Sequence, residues 1–419
     1  MASKRRRRRR PPASANNGAE QGAPKNPAAK LSPENPAPEN PERQSAQAAP
    51  AAPPPRPRGK PGAGPNQTVS GAKAPPRRPL ERFAALDLGT NNCRLLIATP
   101  RGRGFRVVDA FSRIVRLGEG LSVTGALSDD AMDRAVEALK VCADKINKRE
   151  VTRQRCIATQ ACRAAANGEE FLARVRHETG LEFEIIPPAE EARLAVSGCA
   201  DLLDETAAAG LVFDIGGGSK EISWVRPRIV NARPVAPEIL AWESMPIGVV
   251  NVCERFGGAD LSVDAYAEIV ASVRERVAAF GDPAGVRGHF HAGEAHLLGT
   301  SGTVTSIAGV HLALPRYRRD AVDGLWLSAA DVRTVSEGLR AQTLDERAAE
   351  PCIGPERADL VVGGCAILEA ILLEWPSERI RVADRGLREG ILTGLAAAKR
   401  RRRGRRGRRR APAASKQVG

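Results

Sequence analysis

The sequence predicts an α/β protein with two related halves lying between disordered basic tails. Three observations lead to that class. A strand–turn–strand segment occurs twice, 127 residues apart; a glycine-rich strand-to-helix turn follows at residues 297–309; and composition changes abruptly near residues 80 and 399. A chain of 419 residues with 42% hydrophobic content exceeds one typical domain, so two cores are expected in its interior.

The tails account for the basic charge. Residues 1–80 carry 16 Lys and Arg against 4 Glu, a net of +12, and residues 399–419 carry 11 basic residues and no acid. The interior, 81–398, therefore stands at −8 although the whole chain stands at +15, and the high isoelectric point says nothing about the core's partner. Residues 11–80 are rich in Pro, Ala, Asn and Gly and poor in large apolar side chains. Burial there cannot offset the entropy of ordering, so disorder is expected. The runs Arg5 to Arg10 and Arg400 to Arg410, the latter interrupted by Gly404 and Gly407, repel themselves and attract polyanions such as RNA.

An export leader is not expected, because Pro11, Pro12, Ser14, Asn16 and Asn17 stand where an apolar run would have to follow the arginines. The longest apolar run, Leu360 to Leu373, is broken by Gly363, Gly364 and Glu369, so no membrane span is expected either. Cys93, Cys142, Cys156, Cys162, Cys199, Cys253, Cys352 and Cys365 contain no C-x-x-C pair and no zinc-like spacing. They read as small packing residues in a reducing, cytoplasmic compartment.

The repeat carries the chemistry. Residues 83–98, FAALDLGTNNCRLLIA, and 210–225, GLVFDIGGGSKEISWV, each give an apolar strand, an Asp-x-Gly turn, small polar residues and a second strand. Asp87 aligns with Asp214, Gly89 with Gly216 and Asn92 with Ser219. Such a turn aims several backbone N–H groups at one point. Gly216, Gly217 and Gly218 permit an anion to approach closely, and Thr90, Asn91, Asn92 and Ser219 add side-chain donors, which makes phosphate the expected ligand. Asp87 and Asp214 would repel a bare phosphate, so their natural task is to hold Mg²⁺ or a metal-bound water. A single Asp-Gly turn is an ordinary hairpin device. Two matched copies resemble the actin/hexokinase/Hsp70 superfamily, whose actin-like (ribonuclease H-like) domains grip a phosphate chain between them.

The third element, LLGTSGTVTSIAG at 297–309, reads as strand, turn and helix. Ser301, Gly302 and Thr303 stand at the helix start, where they either bind an anion or simply cap the helix.

Four further segments follow in the order found in the Ppx/GppA phosphatases, the exopolyphosphatases and guanosine pentaphosphate phosphatases: ATQACRAAANGEEF at 158–171, PPAEEARLAVSG at 187–198, MPIGVVNVCERF at 245–256 and DRGLREGIL at 384–392. The chain resembles that family across residues 81–398. The resemblance implies that Glu191 activates water for attack on a terminal phosphorus; as a plain residue, it is an acid in a first helical turn. It further implies that Arg163 meets a phosphoryl oxygen and that Glu221 positions metal or water. Two departures stand out. Gly-Thr-Asn-Asn replaces the usual Gly-Ser-Asn-Ser of the first turn, and Lys220 replaces Thr after the second, either reaching a phosphate or pointing away on the other strand face.

The expected organisation is one actin-like domain over 81–190, a second over 191–388, each with a five-stranded sheet, and a helix over 389–398 packing back near the first. Leu392, Leu395 and Ala396 would share one face of that helix. With no H…HD cluster, a short two-domain form is expected. The expected reaction removes a terminal phosphate from inorganic polyphosphate or from the 5′-triphosphate of guanosine pentaphosphate, with Mg²⁺ assisting; a homodimer is left open. The alternatives are an ATP-dependent kinase of the same superfamily, which would need an acceptor and a catalytic Asp, and a noncatalytic polyanion- or RNA-binding protein, which would bind without turnover.

Overall fold

The computed structural model describes residues 81–102, 104–231 and 234–410. The tail expected over 1–80, with Arg5 to Arg10, lies outside the described residues, as does 411–419.

The first lobe runs β1 (Phe83–Leu88), β2 (Asn92–Arg101), β3 (Gly104–Ile114), α1 (Leu121–Thr124), α2 (Asp129–Lys148), β4 (Arg153–Ala158), α3 (Gln160–Ala164), α4 (Gly168–Thr179), β5 (Phe183–Ile185) and α5 (Pro188–Cys199). The second continues with β6 (Ala209–Ile215), β7 (Lys220–Ile229), β8 (Pro234–Met245), α6 (Val249–Phe256), α7 (Val263–Ala278), α8 (Arg287–His291), β9 (Ala295–Thr300) and α9 (Ser301–His311). It closes with α10 (Arg319–Val322), β10 (Trp326–Ser328), α11 (Ala329–Ala341), α12 (Leu344–Ala349), α13 (Val361–Glu374), β11 (Arg379–Ala383) and α14 (Leu387–Arg410).

The two sheets repeat one topology. The first has the order β3-β2-β1-β4-β5 and the second β10-β11-β9-β6-β7-β8. In each, an antiparallel three-strand meander is joined to parallel strands: β1 pairs antiparallel with β2 and parallel with β4, and β6 pairs likewise with β7 and β9. The second sheet has one strand more than the five expected. That strand is β10, three residues paired antiparallel with β11 at the edge, too short to give a period-2 signal.

Burial on both faces explains the unbroken apolar runs. Along β1, Ala84, Leu86 and Leu88 enter the core under α2 and α4, while Phe83 and Ala85 enter a second core with Leu194, Ile391 and Leu392. Helix α2 starts where Ser128 accepts the Ala131 N–H at 3.3 Å and buries Ala135, Leu139, Cys142 and Ile146 on one stripe. The broken apolar run near 360–373 is α13, buried nearly all round in the second lobe's core. Among the described residues no helix is long and apolar enough to cross a membrane. All eight cysteines are free and buried, with the Cys93 and Cys142 sulfurs 3.9 Å apart.

Helix α14 extends beyond 389–398 at both ends, and the backbone of 399–410, expected as tail, continues it. Its first half places Ile391 and Leu392 against the first sheet. It crosses α5 with backbones in contact. A Cβ on Gly198 would lie 1.8 Å from the Gly386 carbonyl oxygen, and one on Gly390 would lie 2.2 Å from that of Leu194. Elsewhere Arg116 of the first lobe pairs with Asp359 of the second at 2.8 Å, and Glu254 accepts the Gly120 N–H at 2.8 Å and the Ser122 hydroxyl at 2.7 Å.

The crossing yields a test. Gly198→Ala should destabilise by about 1–3 kcal/mol or more, since neither backbone can yield as a flexible side chain would. Gly394→Ala, at an exposed site of α14 with open space for its Cβ, should be neutral or stabilising. Urea unfolding of both variants measures this; equal midpoints would remove the crossing as a constraint.

Candidate active site

The two repeated turns close in the same way. Gly89 N–H donates to the Asn92 carbonyl at 2.9 Å, and Gly216 N–H to the Ser219 carbonyl at 2.9 Å. A Cβ at Gly216 would stand 2.8 Å from that carbonyl oxygen, which is why glycine occupies the position. Gly217 and Gly218 also answer to packing. Their Cβ positions would meet the opposing turn: 3.0 Å from Asn91 Cβ for Gly217 and 2.6 Å from Thr90 Oγ1 for Gly218. Glycine there lets the two turns abut. Gly302 has open space at its Cβ position.

Between the turns lies a cavity of about 130 Å³. It collects nearly every residue the sequence singled out: Asp87, Gly89, Thr90, Asn91 and Asn92 from the first turn, and Asp214, Gly216, Gly217, Gly218, Ser219 and Glu221 from the second. Glu191 from α5 and Ser301, Gly302 and Thr303 from the start of α9 complete this group. Ser301 adopts φ 83°, an uncommon left-handed turn for a non-glycine residue, and its hydroxyl donates to the Ile215 carbonyl at 2.7 Å. The strand thus passes directly into the helix, and that hydroxyl ties α9 to the second turn.

Arg163 is not among the lining groups. Its guanidinium lies 3.3 Å from the Glu191 carboxylate through both terminal nitrogens, and it donates to the Ile186 carbonyl and to Gln160 Oε1 at 2.7 Å each. In this structure it contacts Glu191 directly. Lys220 is also absent from the lining. It is fully buried on the opposite strand face, and its ammonium has no hydrogen-bond partner.

Sequence reasoning missed Arg94, Arg357 and Gly248. Arg94 and Arg357 line the cavity. Arg94 pairs across the first hairpin with Asp87 as Glu221 pairs across the second with Asp214, so the repeat itself held that signal. Gly248 supports the second turn from behind, where a Cβ would stand 2.1 Å from the Gly217 carbonyl oxygen.

The electrostatics follow from burial. Asp87 is pushed up to about 6 by loss of solvent, against the pull of Arg94 and Arg388. Glu221 is pushed up to about 7 by burial and by Asp214, although Ser219 and Ser244 hydroxyls stabilise its charge. Glu191 is raised by burial and by Glu221, with Arg163 opposing. Asp214 is raised by burial and restrained by its hydrogen bond with Thr300. A buried carboxylate with a raised pKa is a competent proton acceptor near neutrality.

Among the described residues no group of three or more His, Cys, Asp or Glu side chains is arranged to hold a metal ion. A Mg²⁺ ion asks for less, since it is usually held through one or two carboxylates together with phosphate oxygens and waters. Asp87, Asp214 and Glu221 fit that role: they are hard oxygen donors facing one cavity, and none has an ion-pair partner among the described residues.

The raised Asp87 pKa makes a stability prediction. Between its ordinary 3.8 and about 6, the folded protein retains a proton that the unfolded chain releases. Stability therefore falls as pH rises through that window, and the penalty is complete above it. Asp87→Asn should stabilise the metal-free protein at pH 8, by on the order of 1–3 kcal/mol because solvent still reaches the carboxylate from the cavity, and should do nothing at pH 3.5. Urea titrations at the two pH values measure the difference; a gain independent of pH would contradict it.

Comparison with known proteins agrees with this geometry. Residues 96–399 match the Ppx/GppA phosphatase family. The chain is 30% identical over 332 residues to exopolyphosphatase 2 of Mycobacterium tuberculosis, covering 76% of this chain and 99% of that protein. Among solved structures it resembles the Aquifex aeolicus member of the family, with a TM-score of 0.61 and 26% identity over 77% of this chain and 99% of that one. It likewise resembles an exopolyphosphatase from Cytophaga hutchinsonii, with a TM-score of 0.66 and 25% identity over 76% and 98%. The actin-like two-sheet fold, the paired turns and these matches together establish that the chain belongs to the Ppx/GppA phosphatase family.

Proposed function

We propose that this protein is an exopolyphosphatase that hydrolyses the terminal phosphoanhydride of inorganic polyphosphate, with the 5′-triphosphate of guanosine pentaphosphate as the second substrate its cleft would accept. One arrangement carries the reading: Glu191, buried and held by Arg163, faces a cavity walled by two turns suited to phosphate.

In the proposed reaction the terminal phosphate rests against the N–H groups of residues 90–92 and 217–219, which the turn-closing bonds of Gly89 and Gly216 leave in place, with Arg94 and Arg357 balancing its charge. Glu191 accepts a proton from water as the water oxygen forms a bond to the terminal phosphorus. The bridging P–O bond breaks in line, and the electron pair leaves with the shortened chain. Mg²⁺, held by Asp87, Asp214 and Glu221, would neutralise phosphate charge when bound. Arg163 keeps the Glu191 carboxylate aimed at the water and restrains the rise of its pKa.

Further proposals attach to this reading. The domain boundary falls near residue 190, with α14 packed on the first domain. The free cysteines suit a cytoplasmic enzyme. The arginine-rich tails recruit polyanions, RNA included, without doing chemistry, and a homodimer is compatible with the exposed edge strands β3 and β8.

Phosphate release from polyphosphate and from guanosine pentaphosphate, measured side by side without an acceptor, tests the function. Release from neither substrate would sink the reading. Glu191→Gln keeps shape but cannot accept the proton, so kcat should fall by about 10²–10⁴-fold with equilibrium binding retained. A kcat within a few-fold of the parent would remove Glu191 as the base. A chain trimmed to residues 81–398 should keep kcat on tripolyphosphate yet bind long polyphosphate with a shallower salt dependence; an unchanged salt slope would exclude tail recruitment.

A further inference from the structure

Behind the second turn, on the side away from the cavity, lies a separate recess of about 90 Å³ between α6 and α7. Its polar lining comes from Asn251, Arg255, Ser272 and Arg276, and no carboxylate lines it. Neither guanidinium has an ion-pair partner among the described residues; Arg255 stacks on Phe256 at 5.0 Å. Lys220, buried on the same side without a hydrogen-bond partner, is pushed down to about 7 by burial, with Glu221 supporting its charge and Arg276 opposing it. Two guanidiniums therefore converge on a recess with no acid in its lining, while Lys220 nearby is balanced by Glu221.

We propose that this recess is a second anion site, which takes a phosphate group between Arg255 and Arg276. Guanidinium forks match phosphate oxygens, and the Ser272 hydroxyl and the Asn251 amide supply neutral donors beside them. The site also touches the cleft mechanically. Asn251 Nδ2 donates to the Gly218 carbonyl at 3.3 Å, and the N–H groups of Val249 and Val250 donate to the carbonyls of Gly216 and Gly217 at 3.0 and 2.9 Å. A phosphate drawn against Asn251 holds the first turn of α6, and with it the backbone of the second turn. The phosphate has two sources, free orthophosphate or a unit of a polyphosphate chain, and the binding half of the proposal does not depend on which reaction the cleft performs.

Calorimetric titration of the full chain with orthophosphate, compared with an Arg255→Ala, Arg276→Ala double variant, tests it. The variant should lose one phosphate equivalent, or weaken that site about tenfold or more, with its unfolding midpoint unchanged because both side chains are exposed. Identical stoichiometry and affinity in the two proteins would overturn the proposal. Kinetics then separate the sources. A variant with raised KM for long polyphosphate but not for tripolyphosphate identifies a chain unit as the ligand; unchanged KM with a lost response to added orthophosphate identifies the free ion.

Discussion

Asp87, Asp214, Glu191 and Glu221 are withdrawn from water around one small cavity, and each resists ionisation because of that burial. Such a concentration of acid is unfavourable in a folded protein unless something else holds it in place. Here the surroundings do so. Asp87 and Asp214 sit at the ends of central strands covered on both faces, Glu191 is locked by Arg163 into the first turn of α5, and Glu221 is pinned by the Ser244 hydroxyl at 2.9 Å. Stability surrendered at these four positions is the ordinary cost of a site prepared for a charged ligand.

Much of this was legible in the sequence because the same physical device was written twice. Apolar runs bounded by Asp-x-Gly specify a central strand and its tight turn, and their repetition predicts two like sheets whose turns can face one another. Glu191, by contrast, was marked only by family resemblance, since an acid at a helix start is common. The contacts of Arg163 and the strand face of Lys220 were not legible. Whether an arginine meets a ligand or a neighbouring carboxylate depends on contacts between α3 and α5, and no local pattern records them. The face that Lys220 takes was open until the register of β7 fixed Glu221 toward the cavity.

The glycines illustrate the same limit. A run of three after Asp214 reads as permission for a phosphate to approach, and Gly216 answers to its own turn. Gly217 and Gly218 are required by Thr90 and Asn91, more than a hundred residues away in sequence, so a local signal had a non-local cause. Gly198 and Gly390 are of that kind too, as they let two helices meet backbone to backbone.

The repeat also contains its own asymmetry. Arg94 and Glu221 occupy equivalent places beside Asp87 and Asp214, yet carry opposite charge. A duplicated scaffold has thereby become electrically polar across the cleft, with a cation on one hairpin and a fourth acid on the other. A uniform chain of phosphates has no chemical direction of its own except at its end. In the proposed reaction the unlike hairpins would supply one, drawing the charged terminus toward Arg94 and leaving Glu191 and Glu221 to water.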